Sequence, residues 1–411
     1  MFARRPRLIA AVLTVLLFAV ASPATADVYR SAEWWLDDYG VTTAWKTATG
    51  RGITIAVIDT GIDGSHPDLT GQVVGGADMS GRGASDGSQP LSPDKEHGTM
   101  VAALAAGHGV GNAGIKGTAP DAKLLSISVS FGDEDLSVET QVADGLEWAV
   151  DHGADIVVMS FVMNRTWWPV EWDDAFLKAE KAGVLIVAAA GNKGSGTKSV
   201  GAPAVIPGVL AVGGVTRDGR VSASASTPGS TIGVVAPSER MPGALPGGGR
   251  RMWNGSSGAA PIVAGIAALV MQAHPELDTA NVVNRILQTA DPVGERGNVK
   301  YGWGIINAEK AVTADVPLVD NNPLGTLMDW IPMHRYVDWE TTELEIDAPP
   351  ATTVDPPTVA PEDATSAALD RAWVSVIAPA IGFGGFVLSL GVMGYPRLRR
   401  AILSRRESAT R

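Results

Sequence analysis

The most informative segment of this 411-residue chain reads Ile53-Thr54-Ile55-Ala56-Val57-Ile58-Asp59-Thr60-Gly61. Its apolar residues are continuous rather than alternating, which is typical of a parallel strand covered on both faces. The run ends on a carboxylate and a glycine, and the functional groups of doubly wound sheets lie at the carboxyl ends of strands. Asp59 is therefore either a functional acid or the cap of a turn, and this segment alone favours neither interpretation.

Similar apolar runs recur along the chain. They lie at Lys123–Ser130, Asp155–Phe161, Val184–Gly191, Val209–Val215 and Ile232–Pro237. Helical patterns fall between or after them, at Thr99–Gly107, Val138–His152, Trp172–Ala182, Ser257–His274 and Thr279–Thr289. Because strands and helices alternate, the sequence predicts an α/β fold with a mostly parallel sheet and right-handed crossovers.

Three further segments place polar side chains at strand ends or helix starts. His97 opens a helix of small residues, and the following Gly98 allows another backbone to approach closely. Ser257 begins a long apolar helix, whose free N–H groups and positive dipole end favour a developing oxyanion. Asn192 follows an apolar strand and can donate its amide N–H groups to the same oxyanion. Taken singly, each residue is as compatible with a structural role as with catalysis.

The order of these residues along the chain is more specific than any one of them. Asp, His and Ser, with Asn between His and Ser, is the order of the subtilisin triad. Over about residues 30–312 the chain resembles the subtilisin-like serine protease family (subtilases, peptidase S8). The matching blocks are Val57–Asp63 with His66–Leu69, His97–Thr99, Gly114–Pro120, Ala190–Asn192, Gly255–Pro261 and Tyr301–Ala308.

This resemblance implies a fold, a reaction and a set of residue roles. The fold would be the subtilisin-like α/β architecture of three layers, with a doubly wound, mostly parallel sheet. The protein would be a serine endopeptidase whose catalytic triad is Asp59, His97 and Ser257. Asn192 would donate to the oxyanion. The resemblance assigns substrate binding to Ser160, Phe161, Val162, Ala190 and Gly191.

The implied chemistry needs no cofactor and no metal ion. Calcium stabilises many members of the family, and acids are frequent in the early loops of this chain. Their spacing fits no defined calcium site, so no metal is assigned to Asp63, Asp68, Asp78 or Asp86.

Two positions depart from the family's usual pattern. Ser256 and Gly258 flank the nucleophile where the family usually has Thr and Met, and Gly258 is expected to add flexibility to the first helical turn. Val162 stands where the family usually has Gly in the wall of the specificity pocket, and its side chain would narrow that pocket. The sequence therefore predicts narrow specificity and slow turnover on generic peptides. Three tryptophans follow this segment, and they either line a substrate or partner surface or pack on the domain: Trp167, Trp168 and Trp172.

Both ends of the chain carry topogenic signals. Residues 1–26 combine three arginines, an apolar run and the small-x-small site Ala24-Thr25-Ala26, and predict a signal peptide rather than a retained anchor. Residues 372–396 are apolar and uncharged, with Trp373 and Tyr395 near the ends, and predict one transmembrane helix. Residues 397–411 carry six arginines, which the positive-inside rule places in the cytoplasm. The catalytic domain is therefore expected outside a cell membrane that the chain crosses once.

The chain between these signals divides into a domain and a linker. Residues 27–314 are assigned to the protease domain and residues 315–371 to a juxtamembrane linker. Residues 315–346 show no clear period and either pack on the domain or join the linker. Residues 347–363 contain five prolines, which indicates a semi-rigid stalk.

Composition excludes several classes of function. The chain has no Cys, which excludes a thiol nucleophile and a Cys-based zinc site. Its net charge is −12, and the exported part is more acidic still because the signal and the tail are rich in arginine. Nucleic acid is therefore not expected as a partner.

The layout of the whole chain narrows the resemblance. A signal, protease domain, Pro-rich stalk, single span and short basic tail resemble the mycosins, which are membrane-anchored subtilases associated with type VII secretion in actinobacteria. This layout implies a membrane secretion machinery as a partner, besides a peptide or protein substrate. The alternative is a catalytically weak or inactive subtilase domain that acts as a scaffold in such a complex.

Overall fold

The computed structural model describes residues 28–335, apart from residues 92, 112 and 133–136. Its strands are β1 (Thr54–Asp59), β2 (Val73–Asp78), β3 (His108–Val110), β4 (Ala113–Lys116), β5 (Lys123–Ser128), β6 (Ile156–Met159), β7 (Leu185–Ala189), β8 (Leu210–Val215), β9 (Ile232–Pro237), β10 (Met241–Ala244) and β11 (Arg250–Trp253). Its α-helices are α1 (Val28–Ala32), α2 (Trp35–Asp38), α3 (Val41–Ala44), α4 (His97–Ala106), α5 (Val138–Asp151), α6 (Glu171–Lys181), α7 (Ser256–Ala273), α8 (Thr279–Thr289), α9 (Ala308–Thr313) and α10 (Leu327–His334). The predicted signal peptide, Pro-rich stalk, transmembrane helix and cytoplasmic tail lie outside the described residues.

Seven of the strands form one parallel sheet. Its order is β2-β5-β1-β6-β7-β8-β9, and every neighbouring pair is parallel. The order reverses at β1, with β5 and β2 on one side and the later strands on the other. In doubly wound sheets the ligand binds at such a switch point, outside the carboxyl ends of the strands. The remaining strands form two antiparallel hairpins, β3–β4 and β10–β11.

Helices cover both faces of the sheet. On one face, α4, α7 and α8 belong to the same apolar cluster as Ile55 and Val57 of β1. On the other face, α5, α6 and α10 belong to the cluster that contains Ala56 and Ile58 of the same strand. Because both faces are buried, the strand sequence is continuously apolar rather than alternating. The predicted α/β fold of three layers is confirmed.

One strand of the sheet, β2, is not predicted by the pattern of apolar runs. β2 reads Val-Val-Gly-Gly-Ala-Asp and lies at the edge of the sheet, where most of its residues are only partly buried. Its second glycine, Gly76, is required sterically, because a Cβ there would collide with the carbonyl oxygens of Ser126 and Asp86. Glycines in a strand reduce its apolar signal, so β2 has no run that predicts it.

The longest apolar helix of the described residues, α7, belongs to the core. It is long and apolar enough to cross a membrane by composition alone. Its residues from Ser256 to Val270 are all buried against the sheet and neighbouring helices. This helix is therefore the central helix of the domain, and the predicted span at residues 372–396 is a separate segment.

The segment that follows residue 314 packs on the domain as far as residue 335. Asn284 donates to the carbonyl oxygen of Pro317 at 2.9 Å, and α10 buries Leu327 and Ile331. Arg335 pairs with Asp173 at 2.8 Å. The body of the domain therefore continues past the predicted boundary at residue 314, because this segment covers apolar surface of the domain.

The three tryptophans near α6 divide between the two roles that the sequence left open. Trp168 and Trp172 are buried, and their indole nitrogens donate to Asp173 at 2.7 Å and to the carbonyl oxygen of Glu139 at 2.8 Å. Trp167 is 59% exposed, with the guanidinium of Arg165 over its ring. Packing on the domain therefore accounts for two of the three.

Candidate active site

A buried carboxylate and an imidazole meet at the carboxyl edge of the sheet. Asp59 is the last residue of β1 and is fully buried. His97 is the first residue of α4, and its Nδ1 lies 2.8 and 2.9 Å from the two carboxylate oxygens of Asp59. A carboxylate can only accept, so Nδ1 carries a proton that it donates to Asp59. In the neutral imidazole, Nε2 is then free to accept a proton.

The approach of His97 to Asp59 depends on the glycine that follows it. A Cβ on Gly98 would collide with the carbonyl oxygen of Gly61, in the turn after β1. The backbone N–H of Gly98 donates instead to Thr60 Oγ1 at 3.1 Å. The start of α4 is therefore held directly against the end of β1, as the sequence predicts for this glycine.

The surroundings of His97 favour its protonated form. Burial lowers the pKa of His97, while the charge of Asp59 and its hydrogen bond raise it. Asp94 also raises the pKa and Arg251 lowers it, and the net result is a pKa above the ordinary value for histidine. An imidazolium formed at this position is therefore stabilised by the carboxylate behind it.

Ser257 and Asn192 meet at the start of α7. The Oδ1 atom of Asn192 accepts from the backbone N–H of Ser256 at 2.7 Å and from its hydroxyl at 3.0 Å. With Oδ1 turned to Ser256, the Nδ2 donors of the amide point elsewhere; Nδ2 lies 3.3 Å from where a Cβ on Gly255 would stand. The backbone nitrogen of Ser257 lies 3.6 Å from the same point, so the amide donors of Asn192 and the Ser257 N–H are close together, an arrangement suited to binding a negative oxygen.

Ser256 has a role that the sequence analysis did not assign. Its hydroxyl is buried, donates to Asn192 and accepts from the backbone N–H of Gly191 at 3.1 Å. It therefore fixes which end of the Asn192 amide faces the site. The signal was present in the sequence, because serine keeps the hydroxyl group of the threonine that the family usually has at this position.

A small cavity lies beside Ser257. Its volume is about 210 Å³, and its lining includes Ser160, Phe161, Val162, Gly191 and Asn192. Ala190, which the resemblance assigned to substrate binding, is not in this lining, whereas its neighbour Ala189 is. The cavity is below the usual range of ligand pockets, about 300–1,000 Å³.

Val162 restricts this cavity. Its Cγ1 lies 3.0 Å from the position that a Cβ on Gly191 would occupy, and its Cγ2 lies 3.0 Å from the corresponding position at Gly201. The isopropyl group therefore reaches across to the backbone of Gly191, which has a positive φ of 98°. The valine side chain therefore occupies space beside Gly191 in the wall of the cavity.

Gly258 is closely packed against another element of the domain. A Cβ on Gly258 would lie 2.7 Å from the sulfur of Met241, and closer still to its methyl carbon. Met241 is fully buried on β10, so its side chain fills the volume beside the first turn of α7. The space that a side chain at this position would need is therefore taken by a methionine that the tertiary fold brings from another element.

The β10–β11 hairpin ties the site to the surrounding loops. Arg250 forms a bidentate ion pair with the buried Asp68, with both distances 2.6 Å. Trp253 places its ring edge-on to the imidazole of His97, with 5.7 Å between ring centroids. Within the described part of the chain, no group of three or more acidic, histidine or cysteine side chains could hold a metal ion.

Known proteins are similar to this chain in sequence. The model of the subtilase family matches residues 50–304. Subtilisin E of Bacillus subtilis (strain 168) is 37% identical over 267 residues, which cover 64% of this chain and 66% of that protein. The chain thus spans just under two thirds of the length of that relative.

Solved structures are similar as well. MycP1 from Mycobacterium smegmatis has a TM-score of 0.58 and 29% identity, over 69% of this chain and 85% of that chain. The MycP3 protease from the type VII (ESX-3) secretion system has a TM-score of 0.60 and 28% identity, over 72% of this chain and 90% of that chain. With the family model covering more than half of its residues, the chain belongs to the subtilase family.

Proposed function

We propose that this protein is a serine endopeptidase in which Asp59, His97 and Ser257 form the catalytic triad. The observation that carries the proposal is the Asp59–His97 pair, at 2.8 Å, at the carboxyl edge of the sheet, together with Ser257 in the first turn of α7. A charged hydrogen bond behind an imidazole is the arrangement that orients a general base. Family membership and the similar subtilisins support the same reaction.

Each residue has a defined part in the proposed mechanism. Ser257 Oγ attacks the carbonyl carbon of the scissile bond while His97 Nε2 accepts its proton. His97 then gives that proton to the leaving amine, which leaves an acyl group on Ser257 that water removes with His97 again as base. Asp59 stays ionised and stabilises the imidazolium. Asn192 Nδ2 and the Ser257 N–H donate to the oxyanion, and one such donor contributes about 3 kcal/mol.

Covalent labelling tests this proposal directly. A fluorophosphonate probe reacts with an activated serine, so the parent protein is expected to become labelled and the Ser257→Ala variant is not. Absence of labelling in a parent that is folded by circular dichroism would contradict the proposal. That outcome would favour the alternative in which the subtilase domain is a scaffold in a membrane complex.

The proposed substrate has a small side chain on the residue before the scissile bond. The methyl groups of Val162 support this restriction, because they occupy space beside Gly191 that a larger side chain would need. We expect Val162→Gly to raise kcat/KM for a peptide with Phe at this position relative to Ala, by roughly 10–100-fold. Competition assays with the paired peptides measure this ratio.

The control for this prediction is a change that leaves the pocket intact. Val170→Gly removes an exposed valine at the start of α6 and should leave the ratio unchanged. A parent enzyme that cleaves after Phe as fast as after Ala would contradict the proposed restriction.

The proposed location is the outer face of a cell membrane, with type VII secretion machinery as partner. The support comes from the predicted signal and span, and from the similarity to MycP1 and MycP3. Protease protection of an epitope after residue 411, in membrane vesicles of known orientation, tests the topology. Crosslinking in intact cells tests the partner, and a freely released protein with no crosslinks would overturn both.

A further inference from the structure

One backbone carbonyl beside the nucleophile lacks its helical donor. In an α-helix the N–H of each residue donates to the carbonyl oxygen four residues earlier. The donor for the carbonyl of Ser257 would be residue 261, which is a proline inside α7. Proline has no N–H, and its ring crowds that same carbonyl. Ser257 is only 8% exposed, so its carbonyl oxygen needs a donor from within the protein.

A side chain on the sheet supplies the donor. The hydroxyl of Ser160 donates to the carbonyl oxygen of Ser257 at 2.9 Å. Ser160 is 1% exposed and directly follows β6, which pairs with β1 at the centre of the sheet. The bond therefore joins the residue proposed as nucleophile to the buried central sheet of the domain. The sequence resemblance assigned Ser160 to substrate binding, but its side chain is directed at α7.

We propose that Ser160 is a positioning residue for Ser257, replacing the helical hydrogen bond that Pro261 cannot make. The proposal rests on the function proposed above. With this bond, the first turn of α7 is fixed relative to β1, which carries Asp59, and to Asn192 after β7. Without this hydrogen bond, the first turn of α7 is free to shift away from the proline ring that crowds the Ser257 carbonyl. Displacements of about 1 Å in a catalytic group can cost roughly 100-fold in rate.

Ser160→Ala tests the role of the hydroxyl. We expect it to lower kcat roughly 10–100-fold with KM changed less than about 3-fold, because the reacting geometry is disturbed and substrate binding is retained. The rate of fluorophosphonate labelling should fall by a similar factor. Ser160→Thr keeps a hydroxyl at the same atom and should recover most of the parent's kcat.

Pro261→Ala supplies the decisive comparison. This change gives residue 261 an N–H that can donate to the carbonyl of Ser257, so the Ser160 hydroxyl becomes dispensable. In the Pro261→Ala background, Ser160→Ala should therefore lower kcat by less than about 3-fold. The cycle of single and double variants isolates the coupling between the two positions.

A matched control removes a buried hydroxyl elsewhere. Thr289 Oγ1 donates to the carbonyl oxygen of Arg285 at 2.7 Å within α8, so Thr289→Val should leave kcat unchanged. In an active parent, the inference would be overturned if Ser160→Ala lowered kcat by the same factor in the parent and in the Pro261→Ala background. It would also be overturned if Ser160→Ala lowered kcat in neither. A parent that neither labels nor cleaves peptides would overturn the proposed function and this inference together.

Discussion

Replacing either Ser257 or His97 by alanine is expected to lower kcat by about 10⁶-fold, and replacing both should cost no more. The reason is that the hydroxyl and the imidazole act as one unit: a serine without its base is barely nucleophilic, and a base without the serine has no proton to accept. Hydrolysis of a short peptide with alanine before the scissile bond, followed at high enzyme concentration, measures the residual rate.

The matched control for this prediction is a serine outside the site. Ser137 caps α5 by accepting from the N–H of Thr140, so Ser137→Ala should cost about 1 kcal/mol of stability and leave kcat unchanged. Losses that multiply in the double variant would show that the two residues act independently. A Ser257→Ala variant that retained a tenth of the parent's rate would exclude Ser257 as the nucleophile.

The Asp59→Asn variant should lose about 10⁴-fold in kcat/KM, with the pair's geometry largely preserved. An amide can donate to Nδ1 of His97, which stabilises the tautomer whose proton sits on the nitrogen that faces Ser257.

The pH dependence of the Asp59→Asn variant should change as well. Burial lowers the pKa of His97 and the charge and hydrogen bond of Asp59 raise it, with a net increase.

The sign of the pH effect follows from these opposing causes. Activity requires neutral His97, so kcat/KM of the parent should rise as pH increases through the raised pKa. Removing the negative charge at position 59 leaves burial as the larger influence, so the pKa of His97 falls. The acid limb of the pH–rate profile should then move to lower pH in Asp59→Asn. An acid limb that stayed in place, or moved to higher pH, would contradict the assigned role of Asp59.

Most of the sheet could be predicted because six of its seven strands are buried along nearly their whole length. β1, β5, β6, β7, β8 and β9 therefore carry continuous apolar runs, and their predicted ends agree with the structure within a few residues. β2 was missed because most of its residues are only partly buried and two of them are glycines. The chain order of Asp59, His97, Asn192 and Ser257 also identified the residues that lie at the carboxyl edge of the sheet.

The contacts between these segments could not be read from sequence. The Met241 side chain fills the space left by Gly258, and the segment from Asp315 to Arg335 covers the domain, but neither has a local pattern that names its partner. Ser160 shows the same limit: its position near the site was predicted, and the atom that its hydroxyl contacts was not.

The sequence by itself determined the family of this protein, the α/β class of its fold and the residues proposed for its chemistry. These depend on local apolar patterns and on the order of short motifs, and both can be read from the linear sequence. The tertiary structure decided which end of the Asn192 amide faces the site and how far Val162 fills the cavity. It also decided which group donates a hydrogen bond to the Ser257 carbonyl oxygen in place of the missing N–H of Pro261. Those outcomes depend on close packing and complete hydrogen bonding between segments distant in sequence, and such pairings exist only once the chain is folded.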